Sequence, residues 1–446
     1  MGNVRTVYSN KEIWKIAYPC LVSLVMEQMI GVTDTAFLGH VGEIELGASA
    51  IAGVYYVVIF MLGFGFSTGA QIIMARRNGE GEYARMGQVF YHGMYFLVAL
   101  AAVAFVLTTA FTKPILGSMI SDPEILHAAC DYMQWRIYGL FFAFPAAMFR
   151  AFYISSTQTK TLTLNSVVMV LSNVVFNYIL IFGKLGVPAM GIGGAALGSS
   201  LAEMVSLIFF VVYTSRRIDC RKYGLNRLSR FHFATLRKIF PVSFWTMVQS
   251  FISLSTWFLF FLFVEHLGKE PLAITNVIRS ISGLLYMVVA AFAATCSSLV
   301  SNLIGAGKRE SVIPTVWQHI RIAYAMVLVP ILFFSLFPNV ILGIYTDIPN
   351  VLNGAVASLW VLCSSYIVTV PAQMFFQSIS GTGSTRTAFL LELSTLVVYV
   401  AYCATIIGWL KLDVALCWTA EHVYGTILTI LCATYLYSGH WHGKRI

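Results

Sequence analysis

The chain has 446 residues, 58% apolar and 11% charged, with a net charge of +9. Soluble domains carry about 25% charged residues, and no polar stretch here is long enough for a separate soluble domain, so the composition points to a polytopic helical membrane protein. The positive charge is read as the cytoplasmic bias of membrane loops rather than a nucleic-acid surface, and eight scattered cysteines without a C-x-x-C pair argue for neither disulfides nor metal.

Twelve spans are expected, at residues 13–38, 46–74, 89–112, 125–155, 162–183, 189–213, 239–265, 271–304, 313–337, 352–382, 387–408 and 412–438. Several exceed the roughly 20 residues needed to cross, which implies tilt or extension beyond the bilayer. No cleavable signal peptide is expected, because the polar, basic stretch from Met1 to Lys15 runs straight into the first span.

The first span carries the most informative residue, Asp34, inside Val32-Thr33-Asp34-Thr35-Ala36-Phe37-Leu38-Gly39. A carboxylate at the bilayer centre costs about 2.5–3.5 kcal/mol on insertion scales, and the usual reason for carrying it is an ion site, a proton relay or a charged ligand. Glu27 precedes Asp34 by seven residues and shares its helix face. The two carboxylates could share a proton or hold a cation; otherwise Glu27 is simply paired or hydrogen-bonded. In the second span, Gly65-Phe66-Ser67-Thr68-Gly69 matches G-x-S-x-G, but that hydrolase motif needs a strand and a sharp turn. In an apolar helix the small residues are read as allowing close helix approach.

The fourth span carries Arg136 and the eighth Arg279. Either could meet an anion, but neutralising a nearby carboxylate is the preferred reading. The fifth span carries Asn173 and Asn177 at i, i+4, facing the same way. Their amide oxygens could ligate Na+ or bond a protonated carboxyl, or the pair could be interhelical glue. Glu203 and Glu421 occupy equivalent places in spans six and twelve, with packing and transport roles both open, and Glu392 is a weaker candidate. No H-E-x-x-H, Ser/His pair or metal cluster suggests an enzyme.

Lys and Arg concentrate in one set of loops, through Arg76, Arg77, Arg85, Lys160, Arg216, Arg217, Arg221, Lys222, Arg227, Arg230, Lys308, Arg309 and Arg386, and at the termini through Arg5, Lys11, Lys444 and Arg445. The other loops carry only Lys113, Lys184, Lys269 and Lys411. Both termini are therefore expected in the cytoplasm.

The chain also repeats itself. His40-Val41-Gly42 recurs as His266-Leu267-Gly268, Gly79-Glu80-Gly81 as Gly305-Ala306-Gly307, Pro145 to Phe149 as Pro371 to Phe375, and Lys160-Thr161 as Arg386-Thr387, all at an offset of 226. Asp122 and Asp347, like Trp135 and Trp360, match at 225, and Ala202-Glu203 matches Ala420-Glu421 at 218. Duplication of six spans keeps both halves in the same orientation, giving two six-helix lobes related by a pseudo-two-fold axis along the membrane normal. The expected division is an N-lobe over 1–218 (spans 1–6), a basic cytoplasmic linker over 219–238 and a C-lobe over 239–446 (spans 7–12). Two such lobes suit alternating access around a midplane site.

These residues together resemble the multidrug and toxic compound extrusion (MATE) transporters over essentially the whole chain, and the DinF-like branch in particular. The similar stretches are Thr33 to Gly42, Tyr132-Met133-Gln134-Trp135-Arg136 with Pro145, Asn173 to Gly183, and Trp418-Thr419-Ala420-Glu421. The resemblance implies a V-shaped, two-lobed antiporter that exports organic cations in exchange for H+ or Na+. It implies that Asp34 is the first-span coupling aspartate and Asn173 the fifth-span asparagine. Asn177 falls where many relatives have aspartate, so one N-lobe charge is missing and Glu27 would compensate. Gln249, eight residues after Pro241, falls where another branch has a coupling glutamate, which argues against a C-lobe ion site there.

The expected function is thus a secondary active exporter of drugs or metabolites in a prokaryotic inner membrane, driven by H+ at Asp34 or by Na+ at Asp34, Asn173 and Asn177. Ion-coupling or substrate residues would be Asp34, Glu27, Asn173, Asn177 and Glu203, with Gln249, Arg279 and Glu421 less central. No cofactor and no nucleic acid is expected; the partners are a cationic, amphipathic small molecule and membrane lipid, and the protein is expected to be a monomer. A lipid-linked saccharide flippase is the alternative, and a cavity ringed by Arg and Lys would favour it.

Overall fold

In bilayer hydrocarbon every backbone polar group must be satisfied within its own segment, so apolar runs of this length form helices. The computed structural model describes residues 8–120, 122–346 and 348–443, apart from the Phe258 side chain. Arg5, Lys444, Arg445 and Asp347, used above for orientation and repeat, lie outside the described residues. No strand occurs among those described.

Among the described residues, twelve helices are long and apolar enough to cross a membrane: α1 Asn10–Gly39, α2 Glu43–Gly79, α3 Tyr83–Met119, α4 Pro123–Ser155, α5 Lys160–Phe182, α6 Gly191–Arg217, α7 Phe233–Glu265, α8 Lys269–Gly305, α9 Arg309–Leu336, α10 Pro349–Gly381, α11 Thr385–Trp409 and α12 Val414–Ser438. Each predicted span is one of them, with ends displaced by a few residues. The displacements are mostly outward because polar ends such as Arg76-Arg77 remain helical beyond the apolar core. The 37-residue helices α2, α3 and α8 measure roughly 55 Å, well past the ~30 Å hydrocarbon layer. The 3-10 turn Ile137–Gly139 interrupts α4, and α11 ends in the π-turn Ala404–Trp409.

The duplication is visible bond for bond. The turn after α2 has Gly81 at φ +76, and the turn after α8 has Gly307 at φ +74. Gly81 N donates to Asn78 O at 3.1 Å, as Gly307 N does to Ile304 O at 3.1 Å. His40 Nδ1 lies 2.7 Å from Ala36 O, and His266 Nδ1 lies 2.6 Å from Leu262 O.

The chain divides into two compact units, one formed by Val22–Ser250 and the other by the chain before and after it. The division passes through α1 and α7. The basic segment 219–238 therefore belongs wholly to the first unit, and from Phe233 it is already α7. It is fastened to α3: Tyr91 and Tyr95 donate to the carbonyls of Leu225 and Ser229, both at 2.7 Å. His232 N donates to His92 Nε2 at 3.0 Å.

Within this first unit the G-x-S-x-G stretch is a packing surface. A Cβ at Gly65 would lie 2.6 Å from Met247 Cα, and one at Gly69 would collide with the backbone of Ser243. Thr246 Oγ1 donates to Gly65 O at 2.8 Å. Small residues one helical turn apart let α2 and α7 approach to backbone contact.

Candidate ion-coupling site

Glu203, Glu27 and Asp34 lie inside spans of the first unit, and the structure gives each a different environment. Glu203, on α6, is neutralised. Arg136, from the end of the first segment of α4, donates Nη2 to Glu203 Oε1 at 2.6 Å and Nη1 to Oε2 at 2.9 Å. Tyr56 on α2 adds its hydroxyl at 3.2 Å, and the guanidinium carbon sits 3.7 Å over the Tyr56 ring. This bidentate, partly buried pair is a strong arrangement. It needs Gly139, where a Cβ would collide with both Arg136 Nη1 and Glu203 Oε2.

Glu27, on α1, is also neutralised. Arg150 on α4 donates Nη1 to its Oε1 at 2.6 Å, and Ser23 adds its hydroxyl at 3.0 Å. Ser23 Oγ in turn lies 2.6 Å from Ser166 Oγ on α5. Glu27 and Asp34 therefore hold separate sets of partners, which corrects the picture of two carboxylates sharing one proton. Seven residues of helix separate them by about 10 Å, and Arg150 supplies the charge balance that helix spacing alone could not reveal.

Asp34 has no ion pair among the described residues. Its Oδ1 accepts from Asn177 Nδ2 at 2.5 Å and its Oδ2 from Ser199 Oγ at 2.9 Å. Asn177 Nδ2 also reaches Asn173 Oδ1 at 3.2 Å, and Asn173 Nδ2 donates to Ser199 Oγ at 3.1 Å. The four side chains close a ring from α1, α5 and α6 in which the only formal charge is on Asp34. Arg136 is within electrostatic reach of Asp34, but its guanidinium is committed to Glu203.

Two features give the ring its shape. Asn173 and Asn177 are fully buried, since the i, i+4 spacing points both amides at α6. Gly198 opens the space beside them: a Cβ there would lie 2.5 Å from Asn177 Oδ1. That Oδ1 is buried and receives no hydrogen bond. All four side chains supply oxygens, the donor type that suits a hard cation. Among the described residues no group of three or more His, Cys, Asp or Glu is arranged to hold a metal ion.

Sequence patterns singled out Asp34, Asn173 and Asn177, and the structure brings them together. Glu203 belongs to the neighbouring ion pair, joined to the ring through adjacent α6 residues: Ser199 bonds Asp34, and Ser200 Oγ donates to Arg136 O at 3.3 Å. Gln249 is half-buried on α7 within the same unit. Ser199, Arg150, Tyr56 and Gly198 were not legible as site residues. Serine and glycine are common on any packed membrane helix, and Arg150 sits close to the end of α4.

In the second unit, Glu421 on α12 accepts from Tyr399 at 3.2 Å. Glu392 on α11 accepts from Ser253 at 2.6 Å and Tyr424 at 3.2 Å. Arg279 on α8 is exposed, with its guanidinium 5.3 Å over the Phe261 ring.

Residues 19–179 and 241–405 match the MatE family, one copy in each half of the chain. The chain belongs to the MatE family. MatE proteins are membrane transporters and not enzymes, which agrees with the lack of catalytic motifs noted above. This MatE chain is 25% identical over 349 residues to the probable multidrug resistance protein NorM of Synechocystis sp., covering 77% of this chain and 75% of that one. It is also 25% identical over 351 residues to the protein of the same name from Thermotoga maritima, covering 77% and 74%. Among solved structures it is similar in fold to the eukaryotic MATE transporter AtDTX14, with a TM-score of 0.88 and 19% identity over 97% of this chain and 96% of that one.

Proposed function

We propose that this transporter exports organic cations, drugs or metabolites across a prokaryotic inner membrane by alternating access, exchanging each for a proton carried at Asp34. The observation that carries the reading is the contrast among three carboxylates. Glu203 and Glu27 have arginines; Asp34 has only neutral donors. An uncompensated carboxylate inside a membrane span must take up a proton or a cation for part of its cycle. Proton entry from outside neutralises Asp34, weakens the attraction for a cationic substrate and favours its release. Release of the proton inside restores the charge. The multidrug names of the NorM relatives agree with a cationic, amphipathic substrate. The protein is read as a monomer with both termini in the cytoplasm.

A second reading, Na+ in place of H+, is favoured by one observation: the buried, unbonded Oδ1 of Asn177 beside Asp34 and Asn173. Flippase activity on a lipid-linked saccharide is not favoured, because Arg136 is occupied by Glu203.

The test uses purified protein in liposomes with an imposed pH gradient or Na+ gradient and a fluorescent organic cation. Wild type should accumulate the cation under a pH gradient, and Asp34→Asn should lose that accumulation while keeping its thermal stability. Wild-type transport driven by Na+ alone would select the second reading. Asp34→Asn transport at the wild-type rate would sink both.

A further inference from the structure

The duplication supplies an internal comparison at Glu203 and Glu421. The two glutamates match at an offset of 218, each preceded by alanine. In the first unit Arg136 neutralises Glu203 bidentately and Tyr56 packs beneath. Trp135 matches Trp360 at an offset of 225, so the place of Arg136 is taken by Val361, or by Leu362 at the alternative offset of 226. Both are apolar. Tyr56 corresponds to Ser282. The second copy has kept the acid and lost its counter-charge.

What replaces the guanidinium is aromatic. Tyr399 donates to Glu421 at 3.2 Å, and its ring meets Tyr424 edge-on at 5.9 Å between centroids. Tyr424 donates to Glu392 at 3.2 Å. Glu421 itself is partly exposed, whereas Glu392 is only 3% exposed. Among the described residues no lysine or arginine pairs with Glu421, and Arg279 is turned to the Phe261 ring. A partly exposed carboxylate with a tyrosine hydroxyl on it, a second tyrosine ring beyond and no guanidinium offers charge and aromatic surface to an organic ammonium or phosphonium ion.

We infer that Glu421, with Tyr399 and Tyr424, is the subsite that takes the cationic head of the exported substrate, while proton coupling stays at Asp34. The inference rests on the organic-cation reading above. It makes Glu421 a specificity-determining residue and leaves Glu203, whose charge is spent on Arg136, a structural one.

The experiment is equilibrium binding to the purified full-length protein of two ions of equal shape and opposite charge, tetraphenylphosphonium and tetraphenylborate. Wild type should prefer the phosphonium. Glu421→Gln, nearly isosteric, should weaken phosphonium binding at least about tenfold and leave borate binding unchanged or tighter. Tyr399→Phe keeps the charge and ring but loses the hydroxyl that orients Glu421; it should weaken phosphonium binding by about two- to fivefold. Asp34→Asn should lose gradient-driven uptake and weaken phosphonium binding less than Glu421→Gln does.

Equal phosphonium affinity in folded Glu421→Gln and wild type overturns the inference. So does an equal loss for both ions, which marks a packing role, or a loss confined to Asp34→Asn, which moves the cation to the first unit. If Glu421→Gln does not fold, unchanged phosphonium binding by Tyr399→Phe overturns the inference. Wild type that binds no phosphonium overturns the organic-cation reading itself, an outcome distinct from all the others.

Discussion

At the scale of single residues, chemistry in the first unit is decided by who neutralises whom. A carboxylate within a span is costly, and a guanidinium removes the cost only if it is geometrically committed. Glu203 and Arg136 are so committed, at 2.6 and 2.9 Å with side-chain exposures of 16% and 11%. Glu203→Gln leaves the guanidinium without its anion and should destabilise the protein by about 3–5 kcal/mol. A double change to methionine at Arg136 and Glu203 should cost clearly less than the single one, and thermal unfolding in detergent reads both. Gly198 makes a finer test. The methyl of Gly198→Ala would press on Asn177 Oδ1, which lies 2.5 Å from the built Cβ. Displacing an amide that holds Asp34 should reduce gradient-driven uptake by about five- to a hundredfold, with expression and unfolding temperature little changed. Uptake at the wild-type rate would remove the Asn177 amide from the coupling device.

At the scale of elements, the two copies of each turn act as controls for one another. The turn after α4 places Thr157 at φ +61, and the corresponding turn after α10 places Gly383 at φ +88. A β-branched residue in the left-handed region costs about 1–2 kcal/mol, of which glycine's greater unfolded-state freedom takes back roughly 0.5–1. Thr157→Gly should therefore stabilise the protein by about 0.5–1 kcal/mol, seen as a higher midpoint of thermal unfolding. A lower midpoint would mean that the threonine side chain earns its place by contacts that outweigh the strain. The close approach of α2 and α7 follows the same logic: Gly65 and Gly69 carry no chemistry, and their missing side chains set the distance between two helices.

For the whole molecule, the loop charges define the expected topology. An alkaline phosphatase fusion, active only outside the cytoplasm, should be active after Lys184 and inactive after Arg217. Reversed activities would invert the topology and, with it, the side from which Asp34 is loaded. The pairing of two six-span copies also sets what the fold can do. The two copies have diverged at matched positions: Glu203 has a guanidinium partner, and Glu421, its match, has a tyrosine hydroxyl.

The sequence by itself determined the membrane class, the twelve helices, their approximate ends and the repeat. These depend on local properties: apolar run length, backbone satisfaction within each helix and turn glycines at fixed offsets. It also singled out Asp34, Asn173 and Asn177, because a charge or paired amides in an apolar run stand out from their neighbours. Only the tertiary structure decided which acids are spent. Arg150 reaches Glu27 across 123 positions, Arg136 reaches Glu203 across 67, and Ser199 reaches Asp34 across 165. Pairing at such separations is set by which faces of α1, α4, α5 and α6 meet. No periodicity within one helix records that meeting, and so the identity of the unneutralised carboxylate is a property of the packed helices.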